Sequence, residues 1–416
     1  MTLAGCSTRS ERADSRRAGV TGEPSGPTTG LDSVSVMPPA YEGVATWARS
    51  RCTRSPHAAF SRRWHRGRDM PKTRDRRLDV LKGLLITGVV LGHFLETSGG
   101  GPPSGLYPGW DHEPQRTVLT FLYLFHMPLF IFLAGITARE RDLVHRVVQM
   151  VGLYAVLQVA YLLIRPQYTL TLDTFVHPVY GLWFLLAMGW WLASLPIVRR
   201  LGHWALPVAL VVSLAAVVAP FSDTDIGAWS RAICYWPFFV AGQLYGTQVL
   251  RRTAPTRVLR MLAAAVVGAA VTGGVMLSGL DPNWYRGDSI AATMNENDVT
   301  AVLARVVSLV AAVTLSWAVL TLVPKHLSLV EGLGRRSLGV YALHIPVVFF
   351  AQAWFEHAGL AMWPASGIAV LMTVATLSVL RLPIFDRAVR TTAGTVADVV
   401  VPDALRPHEE LSSPKS

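Results

Sequence analysis

Ten apolar runs, each close to the length a helix needs to cross a bilayer, fill most of the chain between residues 78 and 382. They lie near 78–95, 117–138, 143–164, 179–198, 204–220, 229–249, 258–280, 301–323, 338–356 and 361–382. Hydrocarbon offers backbone N–H and C=O groups no partners, so a run of this length satisfies them internally as a helix. The expectation is an all-α polytopic integral membrane protein of about ten transmembrane helices. Hydrophobic residues make up 51% of the 416 positions and charged residues 16%, which excludes an ordinary soluble domain.

The gaps between the runs set the topology. Arg74, Arg76 and Arg77, then Arg139, Arg141 and Arg146, then Arg199 and Arg200, Arg251, Arg252, Arg257 and Arg260, Lys325, Arg335 and Arg336, and finally Arg387 and Arg390 occupy alternate gaps. The positive-inside rule makes that side cytoplasmic. The other gaps hold Glu96, Asp111, Glu113, Asp173, Asp223, Asp225, Asp281, Asp288, Glu296, Asp298 and Glu356 with few arginines. Both termini then lie in the cytoplasm, and the chain reads as a multi-pass protein of the plasma membrane. This placement also accounts for the net charge of +11, and no nucleic-acid partner is expected.

Residues 1–72 are rich in Arg, Ser, Pro and Gly without apolar periodicity, the makeup of a disordered basic tail. Met70 stands just ahead of the first span, so a start there would make the tail an over-extended one. Residues 73–390 form the transmembrane domain, and 391–416 a cytoplasmic tail. The cysteines, Cys6, Cys52 and Cys234, have unrelated spacings that support neither a disulfide framework nor a metal site.

The first span, RLDVLKGLLITGVVLGHFLE at 77–96, carries Asp79, Lys82 and His93. Lys82 and His93 are about three helical turns apart and within roughly 20° of each other on the wheel, with Asp79 close to the same stripe. Such a stripe calls for a polar passage beside it rather than lipid. With the N-terminus inside, Lys82 stays near the inner edge and His93 lies in the outer half of the bilayer. The plainer reading is a snorkelling lysine and a histidine capping the span. His126 precedes Pro128 in the second span, where a kink would turn it toward His93. Ser337, Tyr341 and His344 share one stripe of the ninth span. In the outer loop 281–300, Trp284 and Tyr285 offer faces on which a sugar ring can stack.

A basic residue, ten others and then His in the first span resembles the signature of the membrane-bound acyltransferase-3 family. FHMPLFIFLAGI (125–136), GLWFLLAMGWW (181–191), WPFFVAGQLYG (236–246) and GRRSLGVYALHIPVV (334–348) resemble its later landmarks, in the same order. The FHMPLF form is most similar to the fucose 4-O-acetylase-like branch. The resemblance covers about 75–390. It implies transfer of an acyl group, usually acetyl from acetyl-CoA, to a hydroxyl of a sugar or another cell-envelope glycan. On that resemblance His93 is the catalytic histidine, as base or transient acyl carrier, and Lys82 its basic partner, with His126 and His344 as further catalytic candidates. Lys82, Arg139, Arg141 and Arg146 would hold the phosphates of the donor, and Trp183, Tyr341 and Trp284 would meet the acceptor. No metal is implied, and oligomeric state is left open. A transporter or flippase of an envelope precursor, with Lys82 and His93 lining its path, is the competing class. Matching broken helices in the two halves would favour it, and no such echo is found.

Overall fold

The computed structural model describes residues 75–98, 108–165, 171–220, 224–252, 258–324 and 326–402. The expected basic tail at 1–72, with Met70, Cys6 and Cys52, lies outside the described residues, as do Arg74, Asp223, Arg257 and Lys325. Among the described residues the regular structure is helical, with no strand. The principal helices are α1 (Arg76–Thr97), α2 (Gln115–Thr137), α3 (Leu143–Ile164), α4 (Trp183–Ala193), α5 (Leu195–Leu201), α6 (Ala205–Ala215) and α7 (Trp229–Arg252). They continue as α8 (Val258–Leu277), α9 (Asp298–Leu322), α10 (Ser328–Arg335), α11 (Ser337–Ala358), α12 (Met362–Leu380) and α13 (Pro383–Val400).

Every expected apolar run falls on helix, and among the described residues eight stretches are long and apolar enough to cross a membrane. The boundaries differ at two runs. The break falls at Ser194 instead of after residue 198, so Tyr180–Ala193 is a shorter apolar helix and Leu195–Val218 a continuous 24-residue one. Helix α7 spans 24 residues but carries Arg231, Gln243, Gln248, Arg251 and Arg252, and it stands outside the eight on hydropathy. Helix α13 leaves no apolar run because it is amphipathic. Pro383 sits at its start, where the missing N–H costs nothing.

Helices α1 and α2 are the centre of the bundle, with 67% and 78% of their spans buried against 33% for α3 and α12. Helix α1 packs on α2, α10, α11 and α12, while α2 packs on α7 and α9. Two crossings depend on glycine. At the α2–α7 crossing a Cβ on Gly135 would run into the Phe239 carbonyl, and one on Gly242 into the Phe132 carbonyl. Gly83 and Gly334 likewise let α1 and α10 touch backbone to backbone. With lipid tails as apolar as leucine, such small-residue contacts are how spans gain dispersion energy from one another. The outward faces carry Leu163, Leu277, Phe350 and Leu371, each at least 67% exposed, the surface a bilayer would cover.

Candidate active site

The C-terminal end of α1 holds a dense polar cluster. His93 lies in the last turns of the helix, and Glu96 follows at i+3 on the same face. The His93 Nδ1 is 3.2 Å from Glu96 Oε2, and the Glu96 side chain is 1% exposed. Three further donors converge on that carboxylate. Trp110 Nε1 donates to Oε1 at 2.9 Å, Arg286 donates to Oε1 at 3.0 Å, and the Tyr180 hydroxyl donates to Oε2 at 3.1 Å. Segments distant in sequence, the turns Pro108–Trp110 and Tyr180–Leu182 and the helical turn Pro282–Arg286, are thereby tied to one group on α1.

A carboxylate only accepts, so the His93 nitrogen facing it carries the hydrogen. In the neutral ring Nε2 then carries the lone pair, and the carboxylate favours that tautomer. This is how a carboxylate orients a histidine for acid–base work. Tyr180 also packs its ring 4.7 Å from His93. It does so from a left-handed backbone, φ 52°, a conformation that costs a non-glycine residue about 1 kcal/mol or more and that clusters at functional positions.

His344 on α11 stacks against His93 with ring centroids 5.4 Å apart and 21° between planes. Its Nδ1 lies 3.0 Å from the Val340 carbonyl and 2.8 Å from the Tyr341 carbonyl. Carbonyls accept, so Nδ1 is the protonated nitrogen. Nε2 is left as a lone-pair acceptor, completely buried and with no hydrogen-bond partner among the described residues. An orphaned buried acceptor costs about 1–3 kcal/mol. His126 joins through Tyr123, whose ring meets the imidazole edge-on at 4.7 Å and whose hydroxyl is 3.5 Å from His93 Nδ1. The fold therefore gathers His93, His126 and His344, from three separate spans, around one centre.

The 281–300 loop anchors this centre. Asp288, two residues after Arg286, pairs with Arg231 of α7, which also holds Asp225 at 3.1 Å and lies 5.5 Å over the Trp183 ring. Burial alone would raise the Asp288 carboxyl, but Arg231 and then Arg286 outweigh it and hold it below the usual carboxylate range. Tyr285 is buried with its hydroxyl 3.3 Å from that of Thr120, and burial pushes the phenol up to about 12.

Lys82 stands apart. It is half-buried, eleven residues below His93 and so about 16 Å away along the α1 axis. One turn beneath it, Asp79 lies 3.4 Å from Arg335. The polar passage expected between Lys82 and His93 is not open. At that level Val89, Met127, Phe130, Phe184 and Tyr341 line an apolar void too narrow for a water molecule. Apolar side chains fill the stripe because Ile86 and Val89 share the face of Lys82 and His93.

The remaining sequence candidates are distributed more widely. Tyr341 is 5% exposed, borders that void, and donates its hydroxyl to the Gly181 carbonyl. Trp183 is half-buried, stacked at 5.8 Å on Tyr235. Trp284 corrects an expectation. It is 3% exposed and packed with Val217, Ala301 and Ala304, so it anchors the 281–300 loop and presents no ring face to a sugar. Arg139, Arg141 and Arg146 lie where α2 meets α3. Arg146 donates to the Arg139 carbonyl at 3.4 Å, and Arg141 lies 3.5 Å from Asp142. That linker is about 16 Å from His126 along α2, at the end opposite the histidines. Among the described residues no cluster of His, Cys, Asp or Glu could hold a metal ion.

Sequence reasoning missed Glu96, Trp110, Tyr123, Tyr180 and Arg286. The signal for Glu96 was present as the i, i+3 spacing from His93. The others come from loops and a neighbouring span, and only the fold brings them in.

A family model described as an acyltransferase domain, of the acyltransferase-3 type, matches residues 75–381. No curated protein and no solved structure matches the chain. The family match takes in α1 to α12 and every residue of the histidine centre, and the protein belongs to the acyltransferase-3 family, as a membrane acyltransferase.

Proposed function

We propose that the protein is an O-acetyltransferase that moves acetyl from acetyl-CoA to a hydroxyl of a sugar or cell-envelope glycan. The observation that carries this reading is the Glu96-oriented His93 at the C-terminal end of the central helix. The acceptor hydroxyl gives its proton to His93 Nε2 while its oxygen attacks the thioester carbonyl. The C–S bond then breaks, and the departing sulfur takes the proton back from the imidazolium. An ester and free coenzyme A result, with no net proton consumed. General-base help of this kind contributes about 10²–10⁴-fold in rate. His344 Nε2, the orphaned acceptor, takes a hydrogen bond from the bound substrate.

The donor approaches from the Lys82 side, the cytoplasmic one on the arginine pattern, with Lys82, Arg139, Arg141 and Arg146 facing its phosphates. Its thioester arm has to part Val89, Met127, Phe130, Phe184 and Tyr341 to reach His93. The acceptor meets His93 from the outer face of the plasma membrane, and the FHMPLF sequence favours a sugar. The test compares surface polysaccharide and small metabolites by mass spectrometry in cells with and without the gene. A set of products lighter by one acetyl without the gene, restored by the wild type and not by His93→Ala, is expected. Identical acetylation in all three strains would defeat the reading, and precursor accumulating inside with acetylation intact would favour the transporter.

A further inference from the structure

At the other end of the bundle, α13 and the start of α11 enclose an open pocket of about 430 Å³ lined by Arg336, Pro383, Asp386, Arg387, Arg390 and Thr391. Three guanidiniums face one carboxylate. Asp386 accepts from Arg390 Nε at 2.7 Å and from the Gly339 N–H at 3.4 Å, and Arg336 donates to the Arg381 carbonyl at 2.7 Å. Arg387 makes no hydrogen bond or ion pair with the described residues. Arg390 also donates to the Arg335 carbonyl at 3.4 Å, where α10 ends and α11 begins. Among the described residues, three guanidiniums against one carboxylate leave an excess of positive charge on α13 and at the α10–α11 junction.

The surroundings say what kind of anion fits. The pocket opens where span α12 ends at Leu380, and Leu382 and Ile384, on either side of the lining residue Pro383, are 49% and 65% exposed. Helix α13 puts Val389, Ala393 and Ala397 against the bundle and leaves Ile384, Ala388 and Val399 outward, with its arginines between the two faces. That is the pattern of a helix lying in the membrane interface. An Arg387 guanidinium beside exposed aliphatic side chains matches a phosphate that carries acyl chains better than a freely soluble one.

We propose that the Arg336–Arg387–Arg390 pocket binds the phosphate headgroup of an anionic phospholipid, whose acyl chains lie along Leu382 and Ile384. The site is distinct from the histidine centre and does not depend on the acyl-transfer reading. Bound lipid would hold α13 against α11 and α3, the latter already joined to it by His145 and Asp398 at 3.1 Å.

The full chain, purified and delipidated in a neutral detergent, is titrated with phosphatidylglycerol, phosphatidylcholine or coenzyme A while Tm is followed by tryptophan fluorescence. Phosphatidylglycerol should raise Tm saturably, and the other two should not do so through this pocket. Arg387→Gln, whose side chain supports nothing else, should leave the lipid-free Tm unchanged and need about fivefold more phosphatidylglycerol, the loss of one arginine near a headgroup. Arg387→Lys should retain most of the response. If Arg387→Gln lowers Tm by itself, Thr391→Glu places a repelling charge in the pocket instead and should abolish the phosphatidylglycerol response. Equal protection by both lipids, a variant that titrates like wild type, or protection by coenzyme A that Arg387→Gln removes would overturn the proposal, the last by assigning the pocket to a soluble phosphate.

Discussion

At the scale of single residues, the decisive contact is the one between His93 and Glu96. Glu96→Gln keeps the size of the side chain but removes the charge, so an amide faces the imidazole and the ring is no longer held in one tautomer. Transfer should fall by about 10²-fold or more at unchanged KM for both substrates, measured as initial rates of acetyl transfer. His344→Ala removes an acceptor assigned to the bound substrate, and its expected signature is a raised KM with a smaller change in kcat. Asp288 carries the pH prediction. Its folded pKa lies below the ordinary 3.8, so its pairing stabilises the fold fully above that value and fades as pH falls through the folded pKa. Asp288→Asn should cost about 2 kcal/mol near pH 7, since it leaves Arg231 with Asp225 alone. The gap in Tm between it and wild type should start to narrow below about pH 4 and close as pH falls through the folded pKa.

Residue types also explain which parts of the centre were legible. His93, His126 and His344 stand out in sequence because ionisable groups are rare in apolar runs. Glu96 did not, because sorting acids by gap assigns it to the outer loop, although it sits in the last turn of α1. Trp284 was misread for the opposite reason. A tryptophan in a polar loop looks available, and only packing reveals that Val217, Ala301 and Ala304 cover it.

At the scale of elements, hydrophobic run length located the spans, and local backbone chemistry decided where they break. The α4–α5 boundary at Ser194 lies inside an apolar stretch, and α13 pairs apolar and charged residues around the wheel, so neither is visible to a search for continuous runs. The glycines of the FLAGI and FVAGQ stretches have a physical role in the α2–α7 crossing. Gly242→Val, placing a branched side chain against the Phe132 carbonyl, should destabilise the protein by about 3 kcal/mol, read as a lower Tm in detergent. Gly332, around which nothing would meet an added Cβ, is the control position for Ala substitution and should show a small effect.

At the scale of the whole molecule, the basic end with Lys82 and the histidine centre are separated by an apolar constriction that a donor must open. Val89→Ala would widen that constriction at a side chain away from Glu96 and Arg286. It should raise kcat/KM for the donor while costing about 2 kcal/mol of stability for the buried methyls removed, checked by parallel activity and thermal-unfolding measurements. Composition and charge pattern were enough to read an α-helical membrane protein. They could not show that the space between Lys82 and His93 is closed, because one helix face says nothing about which side chains the neighbouring helices insert opposite it.

Membrane vesicles carrying wild-type, His93→Ala or Glu96→Gln protein at equal abundance, given acetyl-CoA labelled in the acetyl group at the face where Lys82 lies, provide the sharpest test. Label should pass to an ester on endogenous glycan with the wild type, drop by about 10²-fold with Glu96→Gln, and be absent with His93→Ala. Wild-type incorporation by His93→Ala would contradict the proposed chemistry at its centre.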